Sequence, residues 1–187
     1  MGDLHRFTIE DYHRMAEAGI FDEDSRVELI GGRIVDMSPV GSAHIVAVNR
    51  LNRLLGAAIG DRGVVSVQNP VRLDKGSEPQ PDLAVLRPGA DDLGASTPSA
   101  SEVLLLIEVA DSTLHDDRDE KAPLYAASGV PEYWILYLVN QVFEVYRRPE
   151  AGRYLEVRTV GSDGNLDMMM LPDVRLAVSL LLGTQTA

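Results

Sequence analysis

The stretch Val103–Ala110, VLLLIEVA, constrains this chain more than any other. Five apolar residues in a row, followed after one interruption by Val109 and Ala110, read as a buried β-strand. The interruption is Glu108, a carboxylate where water is scarce. An unpaired buried carboxylate costs several kcal/mol, so Glu108 has to be paired, protonated or bound to a metal. A buried salt bridge meets that demand as a cation does.

The neighbouring segments give the strand a setting. Thr8 and Asp11 can satisfy the free N–H groups of a helix start, and IEDYHRMAEAG then ends at Gly19. RVELIGGRIVDM reads as a hairpin turning at Gly31-Gly32, a register that pairs Glu28 with Val35. Side-chain alternation then puts Glu28 on one face with Ile30, Arg33, Val35 and Met37, a second acid on a largely apolar surface. From His44, the residues Val48, Leu51, Leu55 and Ile59 recur at helical spacing up to Gly60. VVSVQNPVRL, DLAVL and VLLLIEVA follow as extended segments, the last two separated by the Gly-, Pro- and Ser-rich loop RPGADDLGASTPSAS, expected to be mobile. DSTLHDDRDEKAPLYAASG is expected to be helical to Gly129, with its start near Asp119 because Pro123 lacks an N–H. PEYWILYLV, FEVYRR, RYLEVRTV and LDMMML complete the set as strands. Helix, strands, helix and more strands imply one mixed sheet flanked by helices, an α/β or α+β fold with an N-terminal helix and hairpin and a C-terminal hairpin. Without a repeat or linker, a length of 187 residues suits a single domain over 1–187.

Several functions are excluded on composition. The chain has no cysteine, which removes thiol chemistry, disulfides and zinc ribbons and agrees with a reducing, cytoplasmic setting. No apolar run approaches the roughly 20 residues of a membrane span. A formal charge of −12 repels polyanions on average, yet a bound divalent cation can invert the local sign. Phosphate-loop, dinucleotide, nucleophile-elbow and His-Glu-x-x-His motifs are missing, and the four histidines lack metal-ligand spacing.

Carboxylate chemistry is what remains. QPDLAVL sets Asp82 at the start of a strand behind the rigid Pro81. Two adjacent strands each carrying one acid at the same end, Asp82 and Glu108, create an oxygen-rich pocket suited to Mg2+ or Mn2+. Lys121 falls in the expected first helical turn, where the dipole disfavours a cation, and it shares a face with Leu124 and Tyr125. If Leu124 packs inward, Lys121 and Tyr125 are directed towards the sheet; an exposed surface lysine is the simpler reading. His44 lies on the apolar stripe of its helix, Gln68 and Gln80 flank the strands near Asp82, and Trp134 with Tyr133 and Tyr137 suits a core.

Taken in order, RVELIGGRIVDM, QPDLAVL, LLLIEVADST, RDEKAPLY and GVPEYWIL resemble the Uma-two family of restriction endonuclease-like proteins, in the PD-(D/E)xK nuclease superfamily. The resemblance runs from about residue 7 to about residue 182. It implies a restriction-endonuclease-like core, with Asp82 and Glu108 as divalent-metal ligands and the backbone carbonyl of Val109 as a third. The superfamily lysine two positions after the strand acid is Ala110 here, and the resemblance implies that Lys121 supplies the ammonium from the next helix instead. Glu28 and His44 match positions that the family favours, as accessory contacts. The implied activity is Mg2+- or Mn2+-dependent hydrolysis of nucleic acid, DNA before RNA; separately, geometry favours a homodimer for duplex cleavage, because one active site cuts one strand. Two other readings stand beside it: a nuclease-like fold that binds without cutting, and a two-carboxylate glycoside hydrolase, for which a single Trp offers little sugar stacking.

Overall fold

A computed structural model describes residues 4–22, 24–89, 96–111 and 114–184. The centre of the RPGADDLGASTPSAS loop, with its expected mobility, and Ser112-Thr113 of the VADST stretch lie outside the described residues.

Helix α1, Ile9–Glu17, starts where the capping argument places it. The Thr8 hydroxyl accepts from the Asp11 N–H, the Asp11 carboxylate accepts from the Thr8 N–H and hydroxyl, and Gly19 leaves the helix at φ +70°. Strands β1, Val27–Ile30, and β2, Arg33–Asp36, form the hairpin with Glu28 opposite Val35, turning through Gly31 and Gly32, both at positive φ. Helix α2, Ser42–Ile59, buries His44, Val48, Leu51, Leu55 and Ile59.

The main sheet has six strands in the order β3 (Val64–Val67), β4 (Leu83–Leu86), β5 (Val103–Ala110), β6 (Glu132–Tyr137), β7 (Val142–Glu150) and β8 (Arg153–Val160). Strands β5 and β6 pair in parallel; the other neighbours run antiparallel. A parallel pair needs a crossover, and the helical segment after β5 provides it over the second face of the sheet. Leu105, Ile107 and Val109 pack on the α2 side, while Leu106 and Ala110 pack on the opposite side with Ala122, Tyr125 and Ala126 of the crossover. Alternation therefore turns Glu108 towards the crossover helix.

The crossover differs from the sequence expectation. It consists of α3, Leu114–Asp116, a π-helical turn over Asp117–Lys121, and α4, Ala122–Ala127, so the helix starts five residues before Asp119 and Lys121 lies in its middle. The dipole argument for Lys121 therefore fails. The π turn accommodates Pro123: the Ala122 N–H donates five residues back, to the Asp117 carbonyl, and the wider turn makes room for a ring that would meet the preceding carbonyl of an α-helix. Leu124 is only half-buried, and the inward face belongs to Ala122, Tyr125 and Ala126.

Trp134 and Tyr133 are fully buried, as a core role requires. At the C-terminal end only Leu166 and Asp167 of the expected LDMMML strand are extended, within β9, Asn165–Asp167. It pairs with β10, Arg175–Ala177, and the chain continues into α5, Val178–Leu182, which the sequence did not indicate. Glu132, without exposure in β6, anchors this region through Arg147 Nε at 2.7 Å, Trp134 Nε1 at 2.8 Å and the Met169 N–H at 2.6 Å. Among the described residues no helix is long and apolar enough to cross a membrane.

Candidate active site

Strands β4 and β5 run antiparallel with Leu83 opposite Ile107, so Asp82, the residue before β4, arrives beside Glu108. The Asp82 N–H donates to Glu108 Oε2 at 3.3 Å, and the Val109 N–H donates to Asp82 Oδ2 at 2.8 Å. The two strand ends thus exchange backbone-to-carboxylate hydrogen bonds, which holds both acids at one edge of the sheet. His44 Nε2 lies 2.9 Å from the same Asp82 Oδ2, and His44 Nδ1 is buried without a hydrogen-bond partner. Gln68 supports the other oxygen: its amide donates to Asp82 Oδ1 at 3.3 Å and its own N–H to the Asp82 carbonyl at 3.1 Å. Gln68 does so at φ +51°, a left-handed backbone that a non-glycine residue holds at a cost.

Glu108, 4% exposed, faces the crossover. Its Oε1 accepts from Lys121 Nζ at 2.9 Å and from the hydroxyl of the fully buried Tyr125 at 2.9 Å. The lysine also lies 3.3 Å from Glu28 Oε1 and 3.9 Å from Asp117 Oδ1. Glu28, likewise buried, is fixed by the Gln80 N–H on its Oε2 at 3.0 Å. Of the residues singled out from sequence, Asp82, Glu108, Lys121, Glu28, His44, Gln68, Gln80 and Tyr125 therefore gather in one place, with Val109 contributing its backbone N–H.

One ammonium facing three carboxyl groups leaves negative charge in excess. Burial, the largest influence, raises the Glu108 pKa to about 8; Lys121 opposes the shift, and Asp117, Asp82 and Glu28 add to it. Burial alone would push Lys121 down, but Glu108, Glu28 and Asp117 outweigh it and hold the ammonium well above the usual lysine range. Both shifts fit one picture, in which Lys121 stays charged and burial favours the surplus proton on Glu108. Burial beside Glu108 likewise raises the Tyr125 hydroxyl well above its ordinary value, so it remains a donor.

Asp117 stands in the run HDDRDEK, which by sequence reads as a solvated helix start, yet it is buried. The available signal was its spacing: Asp117, Lys121 and Tyr125 stand four apart and share one helical face.

This cluster forms the floor of a pocket of about 240 Å³. The hairpin supplies one wall with Glu28, Ile30, Arg33, Val35 and Met37, the face expected from its alternation, and the π turn supplies the other. Among the described residues no three acid or histidine side chains close into a ready-made cation cage. Two hard carboxylates with room beside them nevertheless suit Mg2+ or Mn2+, which keep several waters and take one or two protein carboxylates together with substrate oxygens.

A profile of the Uma2 family, described as "Putative restriction endonuclease", matches residues 9–179. The crystal structure of a "putative nuclease belonging to DUF820" from Anabaena variabilis ATCC 29413 matches with a TM-score of 0.74 at 13% sequence identity, over 95% of this chain and 98% of that one. At that identity the likeness carries the fold. No curated protein matches the chain.

Proposed function

The chain belongs to the Uma2 family, and on that premise we propose that it hydrolyses phosphodiester bonds of nucleic acid, DNA first, with Mg2+ or Mn2+ held by Asp82 and Glu108. The observation that carries this reading is the convergence of those two carboxylates from adjacent strand ends on an open pocket, with the Lys121 ammonium on Glu108.

A bound divalent cation supplies charge for the reacting phosphate and acidifies water. The protein's own groups prepare the site. His44 and the Val109 N–H fix the orientation of Asp82; Tyr125 and Lys121 fix that of Glu108. Lys121, held between Glu108 and Glu28, orients the attacking water and offsets negative charge as it develops at the phosphate. No covalent intermediate is required, so the proposed reaction is direct hydrolysis. Cutting both strands of a duplex takes two such sites, and on duplex DNA we propose a homodimer.

The test is cleavage of single- and double-stranded DNA and RNA with Mg2+ or Mn2+, beside Asp82→Asn and Glu108→Gln. Metal-dependent cleavage abolished by both substitutions supports the assignment; metal-independent cleavage, or cleavage that survives both, removes it. One observation favours a second reading, a nuclease-like fold that binds without cutting: Lys121 and Tyr125 already satisfy Glu108 Oε1 without a metal. Calorimetric titration with Mg2+ separates the two, since a pure scaffold gives no heat at millimolar metal.

A further inference from the structure

An acid-lined pocket on a chain of net charge −12 repels the phosphates it is meant to receive. The basic residues lining it are Arg26, Arg33 and Lys121. Lys121, its side chain 14% exposed, is committed to three carboxyl groups, and the Arg26 guanidinium reaches the Ser38 carbonyl at 3.4 Å. Arg33 is different. It projects from β2 on the pocket face of the hairpin, 48% exposed, and spans the mouth to Glu120 of the π turn, 46% exposed, at 2.5 Å.

We propose that Arg33 is a phosphate subsite at the mouth of the pocket, and that Glu120 occupies it until a phosphodiester group of the substrate displaces it. The subsite rests on the nuclease reading given above. A guanidinium offers a planar fork of N–H donors that matches carboxylate and phosphate alike, so Glu120 presents to Arg33 the same anionic oxygens that a phosphate would. The pair is exposed and therefore weak, which makes exchange for a multiply contacted polyanion favourable. The location suits the exchange as well. Arg33 lies opposite Ile30 and shares the hairpin's pocket face with Glu28, two residues before Ile30 on β1, and Glu120 is next to Lys121, so breaking the pair opens the mouth directly over the Asp82–Glu108 floor.

The sign of two substitutions separates a displaceable latch from a structural strut. Binding of a fluorescent oligonucleotide is measured by anisotropy without cleavage, in Ca2+, and KM is measured separately in Mg2+. Arg33→Gln is expected to weaken binding about tenfold, and Glu120→Gln to tighten it about threefold. The gain from Glu120→Gln is expected to vanish in the Arg33→Gln background and to exceed that from Asp116→Asn, a control for general charge relief in the same lining. Weaker binding by both single variants, or an equal gain from Glu120→Gln with and without Arg33, overturns the subsite while cleavage by the parent protein keeps the nuclease reading. If the parent neither binds nor cuts any nucleic acid, both are overturned.

Discussion

The ammonium of Lys121 lies 2.9 Å from Glu108 Oε1, delivered from a π-helical turn thirteen positions further along the chain. A lysine on the strand itself would sit at position 110, where the residue is Ala110, packed beneath α4. The same pocket is served from a different backbone origin because the crossover helix lies directly over the face of β5 that carries Glu108.

Lys121→Met keeps the apolar stem and removes the charge. Loss of one preorganised donor at a site of developing charge costs on the order of a hundredfold in rate. Single-turnover cleavage is expected to fall by that factor, while calorimetric Mg2+ binding persists because the proposed ligands Asp82 and Glu108 remain. A rate equal to that of the parent would remove the lysine from the mechanism.

The π turn is tied to Pro123, and Pro123→Ala tests the tie. With an N–H restored and the ring gone, the segment is free to wind as a regular α-helix, which rotates Lys121 away from Glu108. Cleavage is expected to drop at least tenfold, and because the exposed Pro123 ring itself contributes little packing, any fall in thermal midpoint reports the loss of Lys121 from the buried Glu108 and Glu28. A crystal structure of the variant with the π turn intact would refute the explanation.

That turn also marks where sequence reasoning stopped. The hairpin register, the α2 stripe and the approach of Asp82 to Glu108 were legible because period-two and helical patterns, together with Gly31-Gly32 and Thr8, act locally. The start of the crossover helix was not, because a proline inside a helix is normally read as its first turn, and only packing over the sheet sustains the π alternative. Asp117 went unseen for the same reason: placed outside the helix, it had no face to share with Lys121. Arg33 and Glu120 come from segments 87 positions apart, and no local pattern links them.

Away from the pocket, Glu132 predicts a different kind of failure. Its carboxylate is wholly buried and relies on Arg147, Trp134 and the Met169 N–H. Arg147→Met strands that charge, and breaking a buried pair by removing one partner costs about 3–5 kcal/mol. Urea unfolding is expected to show that loss, and Mg2+ binding below the unfolding transition is expected to be unchanged. A variant as stable as the parent would mean that Glu132 is held without its arginine.

The acidity of Glu108 gives the pocket a pH signature whose sign is fixed. Burial raises this carboxyl from its usual 4.5 to about 8, so between those values the folded protein keeps a proton that the unfolded chain has released. The stabilisation from this group is complete below the unfolded value and is lost as pH rises through the folded one, on the order of a few kcal/mol across the window. Glu108→Gln mimics the protonated form at every pH. Its stability is therefore expected to match the parent near pH 5 and to exceed it progressively up to pH 8, measured by urea unfolding without divalent metal. Millimolar Mg2+ is expected to reverse the trend for the parent alone, because a cation bound at Asp82 and Glu108 competes with the proton and binds better as pH rises. A stability gap constant from pH 5 to pH 8 would show that Glu108 is ionised throughout, neutralised by Lys121 rather than by a proton.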